Sequence, residues 1–286
     1  MPVSQLKNIL YHSVHNTPSS CLHASRLVRR LTEMEMSGSP VLKHQFSERF
    51  GQLMDFSGAV ALSKMLGELP NVPVEPTGRT SAGIKDAFFK ERATLVGDIV
   101  KRFVPRNGHA RNRLPTLTEF HANCTLKDVF DITHGAGGPN TAAAFAPYRK
   151  RYVALQGKLA LSSHRLRVQT AEAMAGISPE LARLASLDKG LCDALAARQR
   201  QYFDVIPTLL EQHFHHLLNT HWQTLPGTSD ACDLASWMAP GGWIPSFCGQ
   251  MQELLLAELE IRLQPVLGLI ESIGETGIDE LPTDDQ

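Results

Sequence analysis

No Cys-x-x-Cys pair, no apolar run approaching 18 residues and no sustained strand-period alternation occurs in these 286 residues. Each absence removes a class of protein. The five cysteines, at 21, 124, 192, 232 and 248, are scattered and odd in number, so no disulfide framework is expected and a reducing cytosol fits best. There is no basic-then-apolar leader and no long apolar stretch, so neither secretion nor membrane insertion is expected. With no alternating pattern and no internal repeat, the expected class is all-α.

Catalytic signatures are missing as well. Gly78-Arg-Thr-Ser-Ala-Gly83-Ile84-Lys85 resembles a phosphate-binding loop only in outline. Its lysine falls one place late, Asp86 stands where a hydroxyl should hold magnesium, and no buried strand precedes it. The plainer reading is a linker in which Thr80 or Ser81 caps the following helix. His213, His215, His216 and His221 invite a metal reading, but no His-Glu-x-x-His is present, and Cys232 and Cys248 lie too far along to complete a set. Glu258, Glu260 and Arg262 resemble a nuclease acidic cluster without its lysine or strand, and read as an ordinary helix surface. No nucleophile elbow appears. No catalytic residue, metal or cofactor is assigned.

What is present is a chain with 43% apolar and 20% charged residues, long enough to bury a substantial core. Its net charge of −1 conceals an asymmetry. Residues 79–113 hold nine Lys/Arg against three acids, and residues 253–286 hold nine acids against Arg262 alone.

In chain order, residues 1–21 read as a mobile arm and 22–134 as an N-terminal helical region. In that region Leu27, Leu31 and Met34 share one helix face, and Phe46, Phe50, Leu53 and Met54 share another. Ile84, Phe88, Leu95, Ile99 and Phe103 follow on a third. Residues 140–273 hold the expected centre of the fold, a long antiparallel helical hairpin over about 147–222. The seam of its first arm is Tyr148, Tyr152, Leu155, Leu159 and Leu166, with Ser162 between. The second arm offers Leu184, Leu191, Leu195, Tyr202, Val205 and Leu209, with Asp188 and Arg198 in seam positions. Gly176-Ile-Ser178-Pro179 separates the arms: a left-handed glycine stop, a serine cap and a proline at the first helical position. A last amphipathic helix, about 247–273, is expected to kink or break at Pro265. Residues 274–286 read as an acidic disordered tail.

The basic stretch is the strongest candidate site. Arg79, Lys85, Lys90, Arg92, Lys101 and Arg102, the loop residues Arg106, Arg111 and Arg113, and Arg149, Lys150 and Arg151 at the start of the hairpin could track a nucleic-acid backbone. Phosphate contacts require positive charge but little fixed geometry. Arg92 falls inside the apolar arc, so it must reach water, an acid or a ligand. A solvated face and a basic linker would account for the same residues. Trp237 and Trp243, in an irregular stretch ahead of the last helix, read as exposed and as candidates for partner contact.

Five stretches carry a family resemblance: His23-Ala-Ser-Arg-Leu-Val-Arg-Arg-Leu, Gln45-Phe-Ser-Glu-Arg-Phe-Gly-Gln-Leu-Met-Asp-Phe, Tyr148-Arg-Lys-Arg-Tyr, Pro240-Gly-Gly-Trp-Ile, and the run from Leu254 to Leu269. Over about residues 22–272 the chain resembles the ZorF accessory-subunit family of type III Zorya anti-phage defence systems. The resemblance implies a cytosolic accessory component working beside a proton-driven membrane motor complex and a ZorG-like accessory protein. DNA is a further possible partner, and a homo-oligomer is possible. The family supplies no catalytic residues to carry over. A protein-only adaptor between motor and effector is the alternative, and a nuclease is disfavoured.

Overall fold

A computed structural model describes residues 26–35, 63–64, 66–67, 80–103, 141–223, 236–237 and 239–275. Five helices carry the fold: α1 (Arg26–Glu35), α2 (Ser81–Phe103), α3 (Thr141–Ala175), α4 (Pro179–Gln223) and α5 (Trp243–Glu275). The chain is all-α, with no strand among the described residues. The expected N-terminal arm, the helix around Phe46–Met54, the 105–115 loop and the acidic tail beyond residue 275 lie outside the described residues.

Helices α3 and α4 run antiparallel. Arg167 bonds Asp188, Gln156 Nε2 bonds the Phe203 carbonyl and Arg149 meets Glu211, so partners advance along α4 as they recede along α3. The turn between them follows its sequence in part. The Leu181 amide donates to Ser178 Oγ at 3.2 Å, and Pro179 occupies the first helical position, where a missing N–H costs nothing. The exposed Glu180 carboxyl is held below its usual range by its own backbone N–H and by the Ser178 hydroxyl. Gly176, however, is not left-handed. The first arm closes with a tight bond from the Ile177 amide to the Met174 carbonyl, and the positive φ is at Gly241 instead.

The first-arm seam is where the spacing puts it, with Tyr148, Tyr152, Leu159 and Leu166 buried and Leu155 partly so. The second arm is rotated from expectation. Leu181, Ala182, Ala185, Phe203, Ile206 and Leu210 are buried, whereas Leu184, Leu191, Leu195, Tyr202 and Val205 are only half-buried. Alanine causes the error near the turn, because small residues set that seam and leucines flank it. Leu209 and Asp188 are buried as expected.

The element that organises the chain is α5 rather than the hairpin. It packs against each of the other four described helices. Its buried residues, among them Phe247, Met251, Leu254, Leu255, Leu259, Leu263, Val266 and Ile270, occupy more than one face, as a helix surrounded by neighbours requires. It runs unbroken through Pro265. Two ion pairs tie α1 to it, Arg26–Glu260 at 2.9 Å and Arg30–Glu253 at 3.1 Å. Leu27, Leu31 and Met34 pack beneath them.

Two glycines set the entry to α5. Gly241 adopts φ +90°, which a side chain would resist. A Cβ on Gly242 would overlap the backbone carbonyls of Trp237 and Ser236. That close turn folds the two tryptophans inward, leaving Trp237 5% and Trp243 7% exposed. Their rings meet edge to face at 5.7 Å, and Trp243 stacks on His221 at 5.6 Å. The expectation of exposed tryptophans is therefore corrected. They are core residues and have little surface to offer a partner.

Candidate nucleic-acid interface

Helix α2 begins where Thr80 caps it: the Gly83 amide donates to Thr80 Oγ1 at 3.2 Å and the Ile84 amide to the Thr80 carbonyl at 3.1 Å. The phosphate-loop outline is thus accounted for by a helix cap. Ile84, Phe88, Leu95 and Ile99 are buried and Phe103 partly so, which leaves the charged residues on the remaining surface.

Helix α2 lies antiparallel to α3. Glu91 meets Arg165 at 3.6 Å and Asp98 meets Lys158 at 2.7 Å, so seven residues forward on α2 match seven back on α3. Five residues further, from Asp98 to Phe103, the same register reaches Val153. Arg149, Lys150 and Arg151 therefore follow within about one helical turn of the basic end of α2. Arg149 and Lys150 are exposed, as are Lys90 and Lys101, while Lys85, Arg92, Arg102 and Arg151 are half-buried.

Asp98 gauges the field at that end. Its carboxyl is held below the usual range first by the hydrogen bond from Lys158, against the effect of burial, and further by the charges of Lys158, Arg102 and Lys101. Lys158 thus contacts this carboxylate, and the charges of Lys101 and Arg102 act on it as well. Lys101 and Arg102 also lie in the last turn of α2, where they complement the helix dipole. Arg92 is half-buried with no ion pair among the described residues. Arg79, Arg106, Arg111 and Arg113 lie outside the described residues.

The other candidates resolve differently. Glu258 is not a surface residue but fully buried. Arg262 donates to its Oε1 through Nε at 3.0 Å and Nη2 at 2.6 Å, and Gln156 Nε2 donates to its Oε2 at 3.1 Å. Tyr152 approaches the same oxygen at 3.5 Å, and Arg262 stacks over the Phe203 ring at 3.8 Å. Burial pushes the Glu258 carboxyl up, against the opposing pull of Arg262, Gln156 and Tyr152. This cluster ties α3, α4 and α5 together. Arg262 is four positions along the same helix, but Tyr152 and Gln156 lie 106 and 102 positions away, so local spacing could not reveal that the cluster is buried. Glu260 is engaged by Arg26.

No group of three or more His, Cys, Asp or Glu able to hold an ion exists among the described residues. His213 is buried and bonds Gln250 at 2.9 Å. Burial raises the Cys248 thiol to about 12 and also raises that of Cys192, so neither is poised as a thiolate. Among the described residues no helix is long and apolar enough to cross a membrane.

A profile for a protein of unknown function, DUF3348, matches residues 14–275. The chain belongs to the DUF3348 family. The matched span takes in all five helices, so the family corresponds to the whole bundle and not to one motif within it. No curated protein and no solved structure matches the chain.

Proposed function

We propose that this DUF3348 protein is an accessory component of a bacterial anti-phage defence system of the type III Zorya kind, acting beside a proton-driven membrane motor through contact with DNA. Five stretches resembling the ZorF family support the first half of this reading. The observation that carries the second is the convergence of charge from Lys101, Arg102 and Lys158 on the single carboxylate of Asp98, with exposed Arg149 and Lys150 about one turn beyond. Cations placed so that one acid cannot neutralise them suit a phosphate backbone, and contacts of that kind carry no sequence preference.

Replacing Lys101, Arg102, Arg106, Arg111 and Arg113 with Ser tests the reading. The variant should keep its helical content and melting temperature, lose duplex DNA binding, and lose phage protection. For the unaltered protein, affinity should fall steeply with salt, because each neutralised phosphate releases about 0.9 counterion. An unchanged salt slope in the variant would remove DNA contact from this surface.

A protein-only adaptor is the second reading, and one observation favours it: Val153, Leu161 and Val168 stand exposed along the outer face of α3. Co-purification with the neighbouring gene products, with and without nuclease treatment, separates the two. Association that survives nuclease favours the adaptor.

A further inference from the structure

Among the described residues the exposed large apolar side chains are Leu66, Phe89, Val153, Leu161 and Val168, and three of the five lie on α3. Single exposed apolar residues are ordinary; three on one helical stripe are not. Val153, Leu161 and Val168 are spaced by eight and seven residues, so they align along the outer face, opposite the buried seam. Leu161 is 71% exposed. Gly157 lies in the same line, with nothing within 4 Å of where its Cβ would be, so another backbone can approach closely there.

The charges flanking the stripe indicate what could cover it. Lys150 and Glu172 are both exposed, neither has an ion pair among the described residues, and each stands eleven positions from Leu161 on opposite sides. We infer that α3 pairs with α3 of a second copy of this chain, antiparallel about a two-fold axis at Leu161, with Lys150 of each copy against the partner's Glu172. A two-fold interface uses one patch on both copies, so the patch must complement itself. Running antiparallel, this one does, because the two opposite charges exchange places across the axis. A parallel pairing about the same leucine would set lysine against lysine and glutamate against glutamate. Helices pack with axes 8–10 Å apart, a separation the open Gly157 position favours. The inference shares Lys150 with the DNA reading and leaves Lys101, Arg102 and Arg149 free of the pairing.

Sedimentation equilibrium of the full chain, with Leu161→Asp, Lys150→Glu, Glu172→Lys and the double charge swap, tests it. The unaltered protein should be a dimer. Leu161→Asp should be a monomer with unchanged helical content, since that side chain faces water within one copy. Each single reversal should weaken the dimer about tenfold at low salt, since two symmetric attractions become repulsions, and the double swap should restore it. A double swap as weak as the single reversals overturns the arrangement. So does a dimer that survives Leu161→Asp. A monomeric protein whose Leu161→Asp form melts lower also overturns it, and would mean that another part of the same chain covers the stripe.

Discussion

The two ends of the α3–α4 pair are held by different physics. At the open end, where α5 enters, Phe145, Tyr148, Phe214, Trp243 and Phe247 form a cluster of rings. Phe214 alone lies 5.2–5.5 Å from the other four. At the turn end the interface uses Ala173, Ala182 and Ala185, and one largely buried ion pair, Arg167–Asp188, with contacts of 2.5 and 2.7 Å. Between Asp188 and Phe203 no described residue of α4 is fully buried. The ring cluster gains from area removed from water, and stability is expected to concentrate there. The alanines let the helices approach, and the ion pair fixes register more than it adds stability.

The largest test of this contrast is Phe214→Ala, which empties the centre of the ring cluster. It should cost about 3–5 kcal/mol in urea denaturation. A loss under ~1 kcal/mol would show that the rings are not the anchor. Next comes Asp188→Ala, which leaves the Arg167 guanidinium largely buried without its carboxylate. Its expected cost is about 2–3 kcal/mol, read from the shift in thermal midpoint. A third variant probes the sparsely buried middle of α4. Leu195→Asp should cost about 1 kcal/mol or less, because the half-buried side chain can turn to water, whereas Leu210→Asp should prevent folding. Equal damage from the two would restore Leu195 to the seam.

The smallest expected effect is on pH dependence. His213 lies against Phe247, with ring centroids 6.2 Å apart, and its Nδ1 is buried without a partner. Burial holds its pKa below 6.5, assisted by His216 and opposed by the bond to Gln250. The folded state therefore binds this proton more weakly than the unfolded chain does. The stability contributed by neutral His213 is present above pH 6.5 and lost as pH falls through the lowered folded value. Melting temperatures between pH 7 and pH 5 should decline more in the unaltered protein than in His213→Gln. Parallel curves would assign the acid sensitivity to other groups.

Where burial followed a helical period, the sequence was legible. Leu27, Leu31 and Met34, the α2 arc, and Tyr148 through Leu166 all lie where their spacing puts them. The turn chemistry at Ser178-Pro179 and the cap at Thr80 were legible for the same reason, since both are local. The second arm misled because its inner seam is alanine near the turn, and leucines outrank alanines in any reading by hydrophobicity. The tryptophans misled because their direction depends on Gly241 and Gly242, whose conformations the composition of a Gly-Gly step does not reveal. Glu258 misled because what buries it, Tyr152, Gln156 and Phe203 around its pair with Arg262, stands on other helices. Of the basic surface, the charges could be read from the sequence, but the alignment of α2 with α3 could not.

The central position of α5 also bears on the order in which the chain is made. Arg26 finds Glu260 across 234 residues, and each of α1 to α4 rests on an element translated after it. At about 5–20 residues per second, the faces of α1 through α4 emerge from the ribosome up to roughly 10–50 s before the helix that covers them. Loop closure over such separations is slow even for a finished chain. Synthesis of this protein thus includes an interval in which most of its future interior is exposed, and a ribosome that stalls before Trp243 releases a product prone to aggregate.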